Sequence, residues 1–507
     1  MNHLKLIVTT DIHANIYPTN YTALDNVENY GLSRIASAIK EIRKENKNVL
    51  LMDNGDSFQG TPLLTYALKF KEELDNPMAQ AFNSLKYDFY NLGNHDFNYG
   101  QEQLDKFIAN NQAKLLTSNV KRNDQPVGST QIIEVEGKTI ALVGVLTHYI
   151  PNWEQPDHIL NYSFQDAYRT LEAEVQKHKD NVDYVIALYH GGLERDPQTS
   201  QPTERLTGEN QGYEMTSIEG LDILISGHQH RSLVETINGV VVTQSTLKGE
   251  EFITIDIDLE TGAIAAQLNQ ASAYEADQEF LKQFDTLQSE TQEWLDKTIG
   301  YLKDGPILIE DEFQARLQKH PLVSLVNQVQ IHRAKSQLAS SALFNGVVGF
   351  NQEITMRDLV TTYLYPNTAV VKKITGKALR EMLEFSANYF TINESGNIAY
   401  SPEFDLPKPQ HYNYDMVDGV DYTIKVSNPR GSRIIDLTYQ GQEVKDEDTF
   451  TLAVNNYRAM GGGNYTMVAQ AETLLEIQED MQDTIMQYFL DHPEVVIDHK
   501  DNIKIIK

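Results

Sequence analysis

Five short polar clusters in the first half of the chain carry residue types that bind divalent metal ions. They read T-D-I-H-A-N (Asp11, His13), N-G-D-S-F-Q-G (Asp56), L-G-N-H-D-F (Asn94, His95), L-Y-H-G-G (His190) and S-G-H-Q-H-R (His228, His230). Two ions a few ångströms apart that share one carboxylate need about seven protein ligands. Asp11, His13, Asp56, Asn94, His190, His228 and His230 supply that number. Such a pair polarises phosphoryl oxygens and lowers the pKa of bound water, giving a nucleophile near neutral pH. Four imidazoles are too many for hard Mg²⁺ or Ca²⁺, so the set suits two divalent transition-metal ions: Mn, Zn, Fe or Co. Any single one of the 14 histidines reads better as an ordinary core or surface residue; the five clusters together do not.

Four clusters directly follow a run of β-branched and aliphatic residues, and the Asn94 cluster follows a more aromatic one. Ligands of open α/β sheets gather at the carboxyl ends of strands, so strands are expected at 4–10, 48–52, 114–118, 139–146, 183–189, 221–226 and 240–244, with 89–92 leading into Gly93. Helical spacing predicts helices at 32–44, 62–74, 77–85, 104–109 and 164–178. The runs are short and nearly continuously apolar, as strands covered on both faces are.

At 507 residues the chain exceeds one ordinary core. Residues 1–275 read as one domain, 276–301 as an interdomain linker with a long polar helix over 279–298 and a natural hinge, and 302–507 as a second, smaller domain. The latter has helical patterns at 322–339 and 376–387 and strand-like runs at 369–374, 422–426 and 449–454. A net charge of −30 argues against a nucleic-acid polymer as partner; it leaves small phosphates open, because bound cations reverse the local field. The absence of cysteine excludes disulfides, thiolate zinc sites and cysteine nucleophiles. No window is long enough to cross a bilayer, so no membrane partner is expected. The start, M-N-H-L-K-L-I-V-T-T-D, has no basic n-region or apolar h-region, and the expected location is cytoplasmic. Oligomeric state is not legible.

Two stretches of the second half pair aromatics with amide and glycine groups: Y-L-Y-P-N-T (Tyr365, Asn367) and N-N-Y-R-A-M-G-G-G-N-Y (Tyr457, Gly461, Gly462). Paired aromatics can sandwich a planar base, each worth about 1–3 kcal/mol. Asn amides can meet a base edge, and glycines permit close backbone approach.

The motifs D-x-H, G-D, G-N-H-D, H-G-G and G-H-x-H, in this order, resemble the calcineurin-like metallophosphoesterases, and the layout resembles their two-domain bacterial 5′-nucleotidase branch. The resemblance implies an α/β fold, α+β in part: a layered αββα domain joined by a helix to a smaller α/β nucleotide-binding domain. It also implies that Asp11, His13, Asp56 and His230 hold one ion and Asp56, Asn94, His190 and His228 the other, that His95 is catalytic, and that a nucleotide base lies between Tyr365 and Tyr457 with Asn367 at its edge. His95 follows a ligand directly, so it can stabilise developing charge or protonate the leaving alkoxide. G-N-H-D-F-N-Y-G, L-Y-P-N-T, Y-D-M-V-D-G-V-D-Y and N-N-Y-R-A-M-G-G-G look like the 2′,3′-cyclic-nucleotide 2′-phosphodiesterase/3′-nucleotidase subgroup. The chain departs from the 5′-nucleotidase pattern twice. Asn98 stands where an Asp completes a dyad with the catalytic His, and F-N-G-V-V-G-F (344–350) replaces a Gly-rich loop bearing a substrate-binding Arg. The implied activity is hydrolysis of 2′,3′-cyclic nucleotides and 3′-nucleotides; the alternatives are a 5′-nucleotidase or UDP-sugar hydrolase, and a non-catalytic nucleotide binder.

Overall fold

The computed structural model describes residues 3–204, 206–365, 367–406 and 408–507. The chain divides into two compact units, Met1–Gln292 and Glu293–Lys507.

The first unit is built on two six-stranded sheets. One runs Ile264–Gln270, Glu251–Asp258, His3–Thr9, Val49–Asp53, Phe89–Tyr90, Lys114–Leu115; the other runs Leu233–Ile237, Val240–Gln244, Ile223–Ile225, Tyr184–His190, Lys138–Leu146, Gln131–Val135. Strand periodicity sends alternate residues to opposite faces. Leu4, Leu6, Val8 and Met52 of the first sheet meet Ile140, Leu142, Ile186, Leu188, Ile223 and Ile225 of the second in one core. The intervening Ala141, Val143, Val145, Val185 and Ala187 face outward onto Ala167, Leu171 and Val175 of the helix Ala167–His178. Both faces of the central strands are therefore covered, and Tyr184–His190 is buried at all seven positions. Each large aliphatic side chain so buried contributes about 1.5–3 kcal/mol.

The strands that carry the polar clusters are mutually parallel within each sheet. His3–Thr9 pairs with Val49–Asp53, Val49–Asp53 with Phe89–Tyr90, and Tyr184–His190 with Ile223–Ile225, all in parallel. Their carboxyl ends thus collect on one edge of each sheet.

Several boundaries differ from the periodicity reading. The helix expected from 164 begins at Ala167, because Tyr162–Phe164 pairs as a strand with Val120–Arg122 and Asp166 caps the Arg169 amide. The helix expected over 322–339 is Pro321–Ala334; Lys335 turns left-handed and Leu338–Ala342 joins a sheet. The stretch expected as one long helix over 279–298 comprises Gln278–Leu281, a 3₁₀ turn Lys282–Phe284, Asp285–Leu295 and the start of the strand Thr298–Leu302. Its apolar residues Phe280, Leu281, Phe284 and Leu287 are buried, and Tyr17 and Tyr21 of the first unit donate to Asp285 and Gln288.

The second unit centres on a five-stranded sheet ordered Asp415–Asp418, Leu338–Ala342, Thr449–Asn455, Thr368–Thr375, Glu472–Asp480. A four-stranded sheet, Gln442–Glu443, Ile434–Tyr439, Asp421–Lys425, Ile503–Ile506, forms a further layer element. Among the described residues, no helix is long and apolar enough to cross a membrane.

Candidate metal centre

Loops leaving the parallel strands bring the predicted ligands into two groups. Ligand atoms of Asp11, His13 and His230 lie within 4.8 Å of one another, and so do those of Asp56, His190 and His228. Asp56 stands between the groups: its Oδ2 is 3.1 Å from His190 Nε2 and 4.0 Å from His13 Nε2. His230 Nε2 is 3.3 Å from Asp11 Oδ1.

The loops are locked before any ion is considered. Asp11 N donates to Gly55 O and His13 N to Asp56 O, each at 2.9 Å. Asp56 Oδ1 accepts from His95 N at 2.7 Å. Asp96, fully buried, accepts from the amides of Asp56, Ser57, Phe58 and Gly93, tying the second and third clusters together. Gly93 has no room for a side chain, because a Cβ there would strike the Asp56 carboxylate. Asn54 joins the sheets: its Nδ2 donates to Tyr189 O and Ile225 O, both at 3.2 Å.

The histidine nitrogens that point away from the ligand groups have oxygen partners. Nδ1 of His13 is 3.0 Å from Gln59 O, Nδ1 of His190 is 2.7 Å from Asn54 O, and Nε2 of His228 is 3.0 Å from Glu209 Oε1. Metal-binding histidines characteristically donate their other N–H in this way, which sets tautomer and ring orientation. Trp153 stacks on His228, with ring centroids 5.5 Å apart and planes inclined by 27°.

Electrostatics follow from burial and crowding. Burial alone would raise Asp11, but His190 and His230 hold it far below the usual carboxylate range. Asp56 is likewise held well below it, mainly by His190 and His95 against the pull of burial. Burial opposes the charged form of His190, yet Asp56 and Asp11 overcome it and raise the imidazolium to about 10. Burial lowers His13 to about 4, despite Asp56. Burial also pushes Asp53 up to about 7 and, with the Asp56 charge, Asp96 up to about 6.

The residues fit a pair of cations. Asn94 Oδ1 is buried without a hydrogen-bond partner, and buried Asp56 Oδ2 and His190 Nε2 have only each other, at 3.1 Å; polar atoms left so poorly satisfied call for an explanation, and a bound ion is one. Asp11, His13, Asp56, His228 and His230 all adopt left-handed backbone conformations, with φ between 48° and 69°. Non-glycine residues are uncommon there and cluster at functional sites.

His95 lies beside the centre, its ring 5.4 Å from that of His13, and its Nδ1 is 2.7 Å from Asn98 Oδ1.

In the second unit, Thr368–Thr375 pairs antiparallel with Thr449–Asn455, Ala369 opposite Asn455, and Thr368 N donates to Asn456 Oδ1. That register brings the Tyr365 and Tyr457 segments to the same end of the sheet. Tyr365 and Tyr457 are both half-buried. The ring of Tyr457 rests over Gly462, whose absent side chain makes the room, and Gly461 turns left-handed at φ 95°. Asn367 N donates to Tyr365 O at 2.8 Å. Sequence reasoning did not single out Phe344, which meets Tyr365 edge-to-face at 5.3 Å and Tyr363 at 5.2 Å. The loop that lacks an arginine of its own rests on a buried one: Arg316 donates to Leu343 O and Asn345 Oδ1.

Comparison with known proteins gives a matching picture. Residues 4–232 match the calcineurin-like phosphoesterase family and residues 298–470 the 5′-nucleotidase C-terminal domain. A solved Staphylococcus aureus protein, provisionally named a 5′-nucleotidase and in complex with α-ketoglutarate, is 32% identical, with full coverage of both chains and a TM-score of 0.94. The 2′,3′-cyclic-nucleotide 2′-phosphodiesterase/3′-nucleotidase of Salmonella typhimurium is 28% identical over 90% of this chain and 81% of its own. The trifunctional nucleotide phosphoesterase YfkN of Bacillus subtilis is 27% identical over 97% of this chain, which spans only 38% of that relative's length.

Proposed function

Because this chain belongs to the calcineurin-like phosphoesterases that carry a 5′-nucleotidase C-terminal domain, and is thus a metallophosphoesterase, we propose that it hydrolyses 2′,3′-cyclic nucleotides and 3′-nucleotides. The observation that supports the hydrolytic reading is the gathering of Asp11, His13, His230 and of Asp56, His190, His228 into two groups of mutually close ligand atoms. The subgroup reading is supported by relatives of that name in Salmonella, Haemophilus influenzae and Yersinia enterocolitica, matched over 90% of this chain at 26–28% identity. Mouse 5′-nucleotidase matches over 45%.

Two divalent ions held by Asp11, His13, Asp56, Asn94, His190, His228 and His230 would neutralise the phosphoryl oxygens and make water a competent nucleophile. Asp56, held as a carboxylate chiefly by His190 and His95, stands between the two groups and would serve both. His13, neutral over the physiological range, is ready to ligate. His95 faces the developing charge and gives a proton to the ribose oxygen as the P–O bond breaks. Tyr365 and Tyr457 receive the base, with Asn367 and the Gly461–Gly462 backbone at its edge.

Hydrolysis rates for 2′,3′-cyclic AMP, 3′-AMP, 5′-AMP and UDP-glucose, measured with manganese present, test the reading. The cyclic and 3′-substrates are expected to be fastest. Faster turnover of 5′-AMP would assign a 5′-nucleotidase, the activity named for the Staphylococcus structure. Hydrolysis of none of them, with fewer than two equivalents of metal retained, would leave a nucleotide binder.

A further inference from the structure

Asn98 occupies the place where a carboxylate would serve His95, and the structure supplies one by another route. Asn98 Nδ2 donates to Glu154 Oε2 at 2.7 Å, while Asn98 Oδ1 faces His95 Nδ1 at 2.7 Å. Glu154 is buried, 5% exposed, and held from two further sides: its Oε1 accepts from Gln155 N at 2.8 Å and lies 2.9 Å from His158 Nδ1.

We propose that Glu154 is the positioning residue of the His95 catalytic group, acting through the Asn98 amide. Both Glu154 oxygens act as acceptors, Oε1 from Gln155 N and Oε2 from Asn98 Nδ2, so the side of Asn98 facing Glu154 is its NH₂. The amide oxygen is then turned to His95, and an oxygen there requires the proton on Nδ1. Glu154 thereby fixes the ring orientation of His95 and keeps one proton on Nδ1; the proton given to the ribose oxygen is the second one, carried by the imidazolium on Nε2, and its departure leaves the neutral Nδ1–H tautomer. An asparagine alone could not do this, because an unrestrained amide presents either end to the ring. The same short segment carries Trp153, stacked on His228, so residues 153 and 154 brace the catalytic histidine and a metal-ligating histidine together.

The inference rests on the proposed phosphoester hydrolysis, and its test separates the two. Glu154→Gln, Asn98→Asp and the double variant are compared in the metal-loaded full-length protein. Substrates are a 3′-nucleotide, whose ribose oxygen needs a proton, and bis-p-nitrophenyl phosphate, whose leaving group barely does. Glu154→Gln is expected to lower kcat on the nucleotide by roughly 10- to 100-fold, with KM and metal content unchanged and a much smaller loss on the nitrophenyl ester. Asn98→Asp sets two carboxylates against each other and is expected to be poorer still. Adding Glu154→Gln to it restores a single carboxylate, now in contact with His95, and should recover most of the rate. In the zinc-loaded protein, long-range ¹H–¹⁵N spectra are expected to show His95 as the Nδ1–H tautomer, and Glu154→Gln to mix the two. That readout needs no turnover, so it survives a wrong substrate assignment. Unchanged kcat in Glu154→Gln, equal losses on both esters, a double variant no better than Asn98→Asp, or an Nε2–H tautomer in the parent protein would each overturn the proposal.

Discussion

Asp56 Oδ2 stands 3.1 Å from His190 Nε2, and both side chains are shut away from solvent. Without an ion the two form a charge pair, with the imidazolium held up to about 10 from an ordinary value of 6.5. A raised histidine contributes stability below its unfolded pKa and loses it as pH climbs through the folded one. The metal-free protein is therefore expected to lose this contribution between pH 6.5 and about 10. The same proton must leave when an ion takes Nε2. Titration calorimetry in buffers of different ionisation enthalpy should show about one proton released per protein near pH 7, and apparent affinity rising about tenfold per pH unit. His190→Asn should abolish the release; an unchanged release would mean that His190 is neutral in the apo site.

Glu209 was invisible as a metal-site residue in the sequence, yet its carboxylate lies 3.0 Å from His228 Nε2. Orienting partners of this kind are worth about 10–100-fold in metal affinity. Glu209→Gln is expected to weaken one of the two ions by that factor and to spare the other. Two-step metal release against a graded chelator would report it; parallel weakening of both steps would place Glu209 outside this role.

The aromatic pair of the second unit predicts a division between substrates. Tyr457→Ala should raise KM for nucleotides about 5- to 150-fold, the equivalent of about 1–3 kcal/mol of stacking, and leave bis-p-nitrophenyl phosphate nearly unaffected. Gly462→Ala should reproduce part of the effect, since a Cβ there collides with the Tyr457 ring. Equal impairment on both esters would remove the base-stacking role.

What could be read from the sequence was whatever is written locally. Apolar runs ending in Gly, Asp, Asn or His mark strand ends, and the parallel pairing of those strands brings the clusters together. Helix interiors were legible from their apolar spacing, whereas their ends depended on competition: Tyr162–Phe164 is drawn into strand pairing, and Leu338–Ala342 into the central sheet of the second unit. Residues acting across distance left no local trace. Glu154 lies 56 positions from Asn98, and Glu209 lies 19 from His228, in stretches with no periodicity or motif. Phe344 meets Tyr363 and Tyr365 only through the fold, and its own segment carries no periodicity that marks the contact.

The left-handed backbone at Asp11, His13, Asp56, His228 and His230 sets fold and reaction against each other. Each position costs about 1–2 kcal/mol that a glycine would not incur. Glycine at any of the five would be locally easier for the backbone but would remove a side chain that can coordinate. A search for greater thermal resistance alone would therefore tend to dismantle this centre one ligand at a time. Variants of this enzyme selected for robustness need metal retention as a second criterion.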